Sequence, residues 1–235
     1  MTTHTQVNDT NDSPKSVLGV ILAGGQSQRM ADVQSLPKAL VPLSPVMTML
    51  DRAISVMSQI TQDIVVSLPH DPALQAAFKT AQEDYPTEDF PGLHWLADDA
   101  DSYQGPMQGI RTVVTHFPNH ALLVMCVDQI ALKPSLLNRL ISENPDIQAD
   151  ITAFLCDGLA PFPVFLSSLA CQAVSKAFEE GERSLSQWLS FQNAKQAQGD
   201  FMVNGISLSI QDMFALASAN TLQELSQMQE AQNRI

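Results

Sequence analysis

Two different spacings of apolar positions alternate along the chain, and they predict strands and helices in turn. Short, almost wholly apolar runs are typical of buried strands, and they occur at 16–22, 63–68, 93–96, 121–127, 150–156 and 163–166. Apolar residues at the spacing of one helix face occur at 46–59, 71–79, 105–114, 134–141, 169–180, 185–191 and 221–231. The alternation predicts an α/β fold: a doubly wound, mostly parallel sheet with helices on both faces.

Residues 1–16 differ from the rest of the chain. They are polar and contain little that could be buried, so we predict a disordered tail there and a single domain over 17–235. Residues 80–92, with two prolines and several acids, are predicted to form a surface loop.

The charge balance limits the partners that the chain can bind. Its 12 Lys and Arg against 25 Asp and Glu give a net charge of −13, which argues against a broad basic face for nucleic acid or an anionic membrane. No apolar run approaches the roughly 20 residues of a membrane span, and no secretory signal is visible. The three cysteines have no metal-ligand spacing, so we expect a cytoplasmic protein with reduced thiols.

A glycine-containing turn after the first predicted strand carries the strongest chemical signal. Ala23-Gly24-Gly25 can bring backbone amides close to phosphate oxygens, and Arg29 and Lys38 follow as cations. We expect Lys38 to lie in a polar loop after Pro37. The spacing is neither that of the Walker A loop nor that of the dinucleotide-binding fingerprint. A plain turn with two solvated cations would show the same residues.

The string from Leu22 to Lys38 resembles the LAGGxxxRM…PK signature of nucleotidyltransferases that join a nucleoside triphosphate to a phosphorylated acceptor. Within that superfamily it is most similar to the molybdenum cofactor guanylyltransferases, the MobA family. The similarity runs from about Val17 to Leu225, with further matching segments at 64–67, 105–110, 122–128, 181–189 and 220–225. It implies one nucleotidyltransferase domain of the Rossmann-like type.

The resemblance also implies a reaction: transfer of GMP from GTP to molybdopterin, with release of pyrophosphate and with Mg²⁺ as cofactor. The implied partners are GTP, molybdopterin and the acceptor molybdoenzymes or their chaperones. The residues that the resemblance implies in catalysis are Arg29, Lys38 and Asp128, with Asp128 also the metal ligand. Those that it implies in nucleotide binding are Leu22, Ala23, Gly24, Gly25, Lys38, Ser67, Asp98 and Asp128.

Each of two carboxylates in this set also has a purely structural interpretation. Asp128 follows the most apolar predicted strand, where a carboxylate can bind Mg²⁺ together with phosphate oxygens or can cap a turn. Asp98 can bind a nucleotide hydroxyl or base, or can cap the loop that leads into the helix at 105–114.

Several positions depart from the family pattern, and they fall where that pattern recognises the base and the acceptor. Ser67 replaces an asparagine, Phe162-Pro163 replaces a His-Pro pair, and 218–221 replaces an NxNT sequence. The CDxPxL motif, at 126–132, lacks its proline. Two alternatives therefore stay open: a related transferase that acts on a sugar phosphate or uses CTP, and a non-catalytic paralogue that binds a partner.

Overall fold

The computed structural model of the chain describes residues 17–24, 37–86, 88–99, 105–143, 149–196 and 201–219, with 224, 227 and 228. The strands are β1 (Leu18–Leu22), β2 (Pro42–Ser44), β3 (Met47–Thr48), β4 (Ile64–Leu68), β5 (Leu93–Ala97), β6 (Leu122–Cys126), β7 (Ile151–Leu155), β8 (Leu159–Leu166) and β9 (Val203–Ser207). The helices are α1 (Met49–Met57), α2 (Pro72–Glu83), α3 (Pro106–His116), α4 (Pro134–Ser142), α5 (Ser168–Glu179), α6 (Leu185–Lys195) and α7 (Ile210–Ala215), and a 3₁₀ turn spans Lys38–Leu40.

Seven of these strands form one sheet in the order β5-β4-β1-β6-β8-β7-β9, and β2 and β3 pair separately. Neighbouring strands are parallel except where β8 lies antiparallel between β6 and β7. In the centre of the sheet, Leu22 at the end of β1 lies beside Ser67 of β4 and Cys126 of β6. The carboxyl ends of β5, β4, β1 and β6 therefore meet at one edge, where open α/β sheets bind their ligands.

Helices cover both faces of the sheet, because the strands are apolar on both. Ile21 of β1 packs in a core cluster with residues of α1, α2 and α4. Val20 and Leu22 face the other way, into a second cluster with residues of α3, α5 and α6. The prediction of a doubly wound α/β fold is confirmed.

The first turn of α3 lies unusually close to the sheet at this edge. Gly109 is the reason: a Cβ on it would stand 2.7 Å from Ser67 Oγ and 2.8 Å from Leu22 Cδ2. A side chain at this position would force Ser67, Leu22 or α3 itself to shift. Because Gly109 has no side chain, the polar residues of α3 can lie next to the polar residues at the ends of β4 and β5.

The boundaries of several elements differ from the prediction. The predicted loop at 80–92 is wrong over its first residues, since α2 continues to Glu83. Strand β8 begins at Leu159, before its two prolines. Strand β3 takes the first residues of the helix predicted at 46–59, and β9 and α7 were not predicted. The sequence of β9, VNGIS, has no apolar run, and it lies at an edge with only β7 beside it.

Two further predictions lie outside the described residues: the tail at 1–16 and most of the helix at 221–231. The extent of the single domain over 17–235 stays a prediction. In the part of the chain that the structure describes, no helix is both long and apolar enough to cross a membrane.

Candidate functional site

Backbone hydrogen bonds extend the sheet beyond the strand ends and hold the predicted site residues in a row. The Ala23 N–H donates to the Ser67 carbonyl at 2.9 Å, and the Val127 N–H donates to the Leu22 carbonyl at 3.2 Å. On the other side, the Asp98 N–H donates to the Leu68 carbonyl at 2.9 Å. Asp98 after β5 and Asp128 after β6 therefore lie at opposite ends of this row, with β4 and β1 between them.

At the β6 end, Lys38 and Asp128 form an ion pair. Lys38 Nζ lies 2.7 Å from Asp128 Oδ2, although the two residues are 90 positions apart in the chain. Lys38 lies in the 3₁₀ turn and only 7% of it is exposed, so the expectation of a lysine in a polar loop is wrong. Because Lys38 is buried, its ammonium group loses solvation by water, and the Asp128 carboxylate compensates for that lost solvation.

The second carboxylate oxygen of Asp128 is buried and has no hydrogen-bond partner among the described residues. A buried acceptor without a donor costs free energy, and a bound cation would remove that cost. The side chain of Asp128 pairs with Lys38 instead of capping a turn through a backbone amide of the described residues. The described contacts therefore do not support the turn-capping interpretation of Asp128.

At the β5 end, hydroxyl groups surround Asp98. Ser67 Oγ donates to Asp98 Oδ1 at 3.0 Å, and the Thr112 side chain of α3 also interacts with this carboxylate. Burial raises the pKa of Asp98 to about 6; the charge of Asp99 adds to the rise, and interactions with Ser67, Thr112 and His70 oppose it. Among the described residues, no lysine or arginine pairs with Asp98.

Gly24 lies between the end of β1 and Asp98. A Cβ there would stand 3.4 Å from Pro69 N and 3.6 Å from Asp98 Oδ2, which is ordinary contact distance. The φ of Gly24 is outside the left-handed region, so the backbone itself does not require glycine. A branched side chain, however, would fill the space in front of Asp98.

A family profile for the MobA-like NTP transferase domain matches residues 19–198. The chain belongs to this family. It is 26% identical over 214 residues to a protein of Shewanella piezotolerans named molybdenum cofactor guanylyltransferase, covering 90% of this chain and 91% of that protein. The resemblance stated from the sequence is therefore confirmed.

Solved structures with the same fold support the architecture of this MobA-like transferase. Molybdopterin-guanine dinucleotide biosynthesis protein A from Archaeoglobus fulgidus superimposes with a TM-score of 0.68 at 17% identity, over 93% of this chain and all of that one. A 2-C-methyl-D-erythritol 4-phosphate cytidylyltransferase from Thermus thermophilus gives 0.58 at 16% identity, over 92% of this chain and 98% of that one. At these identities the likeness shows the fold alone.

The MobA-like transferase brings together most of the predicted site residues. Leu22 and Ala23 are buried where β1 ends, and Gly24, Ser67, Asp98, Lys38 and Asp128 follow along the same edge. Gly25 and Arg29 lie outside the described residues.

Sequence analysis missed two polar residues of α3 that belong to the same edge. Gln108 and Thr112 are almost completely buried, and Gln108 Nε2 donates to Thr112 Oγ1 at 3.5 Å, the long limit of a hydrogen bond. The amide oxygen of Gln108 has no partner among the described residues. Their spacing of four residues on the inward face of a helix was the available signal.

Among the described residues, the side chains that could coordinate a metal ion are few at this edge of the sheet. The described residues contain no group of three His, Cys, Asp or Glu side chains that could hold an ion. A Mg²⁺ ion bound with a nucleotide needs fewer protein ligands, because phosphates and waters complete its coordination. The unpartnered oxygen of Asp128 fits such a site.

Proposed function

We propose that the chain is a molybdenum cofactor guanylyltransferase, which transfers GMP from GTP to molybdopterin and releases pyrophosphate. The observation that carries the proposal is the Lys38–Asp128 pair with its unpartnered oxygen at the carboxyl edge of the sheet. It stands in a chain of the MobA-like NTP transferase family whose relatives carry this name.

In the proposed reaction, a phosphate oxygen of molybdopterin attacks the α-phosphorus of GTP. The bond from the α-phosphorus to the bridging oxygen breaks, and pyrophosphate leaves with the electron pair. The protein has to align the two phosphates and to neutralise negative charge as it develops. The ammonium group of Lys38, held by Asp128 at 2.7 Å, supplies a fixed positive charge for this purpose.

Asp128 is the residue that would hold Mg²⁺, through its second oxygen. The ion would supply Lewis-acid stabilisation of the phosphate oxygens and of the leaving pyrophosphate. Asp128 would thus orient the ammonium group of Lys38 through one oxygen and the ion through the other.

At the other end of the row, we propose that Asp98 recognises the guanine base. Guanine presents two neighbouring N–H donors, from its ring nitrogen and its exocyclic amine, and a carboxylate can accept both. Cytosine presents one donor next to an acceptor nitrogen, which would face a carboxylate oxygen. Asp98 in its ionised form therefore favours GTP over CTP.

The alternative that uses CTP or a sugar phosphate has a specific observation behind it. Ser67 occupies the position of a family asparagine, and its hydroxyl is engaged by Asp98. The fold by itself does not decide, since a cytidylyltransferase shares it.

The test is turnover with defined substrates. The protein is incubated with Mg²⁺ and molybdopterin, with either GTP or CTP, and pyrophosphate and the dinucleotide product are measured. Glucose 1-phosphate replaces molybdopterin in parallel reactions. We expect product with GTP and molybdopterin. Product from CTP or from the sugar phosphate instead would favour the related transferase, and no product from any combination would favour the non-catalytic paralogue.

A further inference from the structure

The residue directly after Asp128 is a buried glutamine whose side chain joins three segments of the chain. Gln129 is only 3% exposed. Its Oε1 accepts from the Cys126 N–H at 3.2 Å, and its Nε2 donates to the Phe162 carbonyl at 3.0 Å and to the Leu216 carbonyl at 3.3 Å. Both ends of the amide are therefore used, which is what a buried polar side chain requires.

These contacts close a turn that contains Asp128. The backbone N–H of Gln129 donates to the Cys126 carbonyl at 3.2 Å, while the side-chain oxygen of Gln129 accepts from the N–H of the same Cys126. Val127 and Asp128 are the central residues of this turn. Its conformation decides where the Asp128 carboxylate points.

The same turn is fixed to the second half of the sheet. Phe162 lies within β8, and Leu216 directly follows α7. The Ala219 N–H donates to the Asp128 carbonyl at 3.1 Å, so 216–219 contacts the turn at two points. Strand β9, which leads into α7, runs parallel to β7 and ends at the same edge of the sheet as β6.

We propose that Gln129 is a positioning residue: by tying its turn to β8 and to 216–219, it holds the Asp128 carboxylate in the orientation that serves Lys38 and the metal–nucleotide complex. The proposal rests on the proposed function. The physical reason is that ligand and transfer geometries tolerate displacements of only about 0.5 Å. A turn held by its own main-chain bonds alone has more freedom than that. Gln129 itself touches neither the nucleotide nor the metal in this account.

The test compares Gln129→Met with Gln192→Met. Methionine keeps the volume of glutamine and removes the side-chain hydrogen bonds that Gln129 makes. Gln192 is also a buried glutamine, 8% exposed, but it lies in α6. Gln129→Met is expected to unfold at a lower temperature than the wild type, because it loses these hydrogen bonds, and Gln192→Met controls for replacing a buried glutamine by methionine. Only a residue that positions Asp128 will also alter the metal-dependent step.

Two readouts separate positioning from packing. Mn²⁺ is titrated into the protein with GTP and followed by electron paramagnetic resonance, and kcat and KM are measured in the transfer reaction. For Gln129→Met we expect a roughly tenfold weaker Mn²⁺ affinity and a kcat at least about tenfold lower, with KM for GTP within twofold of wild type. For Gln192→Met we expect all three near wild type. Wild-type Mn²⁺ affinity and kcat in Gln129→Met would overturn the proposal.

The outcome stays decisive if parts of the account fail. If Gln129→Met does not fold, Gln129→Asn keeps the amide and withdraws it by one methylene, and the same separation is expected at smaller size. If the wild type releases no pyrophosphate but binds Mn²⁺–GTP through Asp128, the proposed function fails and the Mn²⁺ titration still decides the role of Gln129. If Asp128→Asn binds Mn²⁺ like the wild type, the role proposed for Gln129 is rejected as well.

Discussion

Asp128 and Asp98 lie on the same edge of the sheet, but their surroundings are opposite. Asp128 has an ammonium group at 2.7 Å on one oxygen, and its other oxygen has no hydrogen-bond partner among the described residues. Asp98 has hydroxyl groups around it and no lysine or arginine of the described residues, and its pKa rises to about 6. Both carboxylates are at least partly buried, so burial alone does not explain the difference.

The difference fits the division of labour that we propose along this edge. A carboxylate that pairs with an ammonium group through one oxygen can bind a second cation through the other, which suits the phosphates of a nucleotide. A carboxylate that has hydroxyl groups but no lysine or arginine beside it can accept hydrogen bonds from a neutral group, which suits a base. Each prediction below alters one side of this comparison and leaves the other intact.

The largest effect is expected from Asp128→Asn. The substitution keeps the size of the side chain and one acceptor oxygen but removes the charge, so we expect kcat to fall by about a hundredfold to a thousandfold. Circular dichroism should show a folded protein. Turnover within threefold of wild type would mean that Asp128 only caps a turn, where asparagine is an equal substitute.

The second effect concerns stability. Lys38→Met leaves the largely buried Asp128 carboxylate without its cation, and we expect the free energy of unfolding to drop by about 2–3 kcal/mol. The double variant with Asp128→Asn should recover most of that loss while remaining inactive. Urea unfolding of the four proteins forms a double-mutant cycle, and additive losses would show that the pair does not interact.

Sequence patterns indicated the strands and the carboxylates at their ends, but not this pair. Strands β1, β4 and β6 are buried on both faces, and their continuous apolar runs make them visible in the sequence. Lys38 follows a proline in a polar stretch, and nothing local shows that it is buried. Its environment depends on a contact with a residue 90 positions away.

The α3 contribution to the Asp98 site was hidden for a related reason. Gln108 and Thr112 are polar residues in an amphipathic helix, and such residues usually face water. They are buried because Gly109 lets the helix lie against Ser67 and Leu22. Tertiary packing, and not the helical pattern, decided their role.

Asp98→Asn is expected to have two smaller effects of opposite sign: higher thermal stability and weaker GTP binding. Because folding raises the pKa of Asp98 from 3.8 to about 6, this group favours the folded state at low pH, and that contribution is lost as the pH rises through about 6. At pH 7.5 the variant should therefore melt a few degrees higher, at about 2–4 °C per kcal/mol. Its affinity for GTP should fall about tenfold. A lower melting temperature would contradict burial of the carboxylate as the cause of the raised pKa.

The smallest effect is expected from Ser67→Ala. The Ser67 hydroxyl donates to Asp98 and lowers the pKa of that carboxyl, so its removal should raise that pKa. In the proposed role, GTP binds the ionised carboxylate. As the pH is lowered, GTP binding should therefore weaken at a higher pH in the variant than in the wild type. Isothermal titration calorimetry between pH 5 and pH 8 measures the pH midpoint of the change in GTP affinity. Identical midpoints in the variant and the wild type would show that ionisation of Asp98 does not control nucleotide binding.

The division of labour is tested most directly by one set of titrations. GTP and CTP affinities are measured with and without Mg²⁺ for the wild type, Asp128→Asn and Asp98→Asn. We predict that Asp128→Asn loses the Mg²⁺ dependence for both nucleotides and keeps the preference for GTP over CTP. Asp98→Asn should lose the preference and keep the Mg²⁺ dependence. Equal changes of both properties in the two variants would contradict separate roles for the two carboxylates.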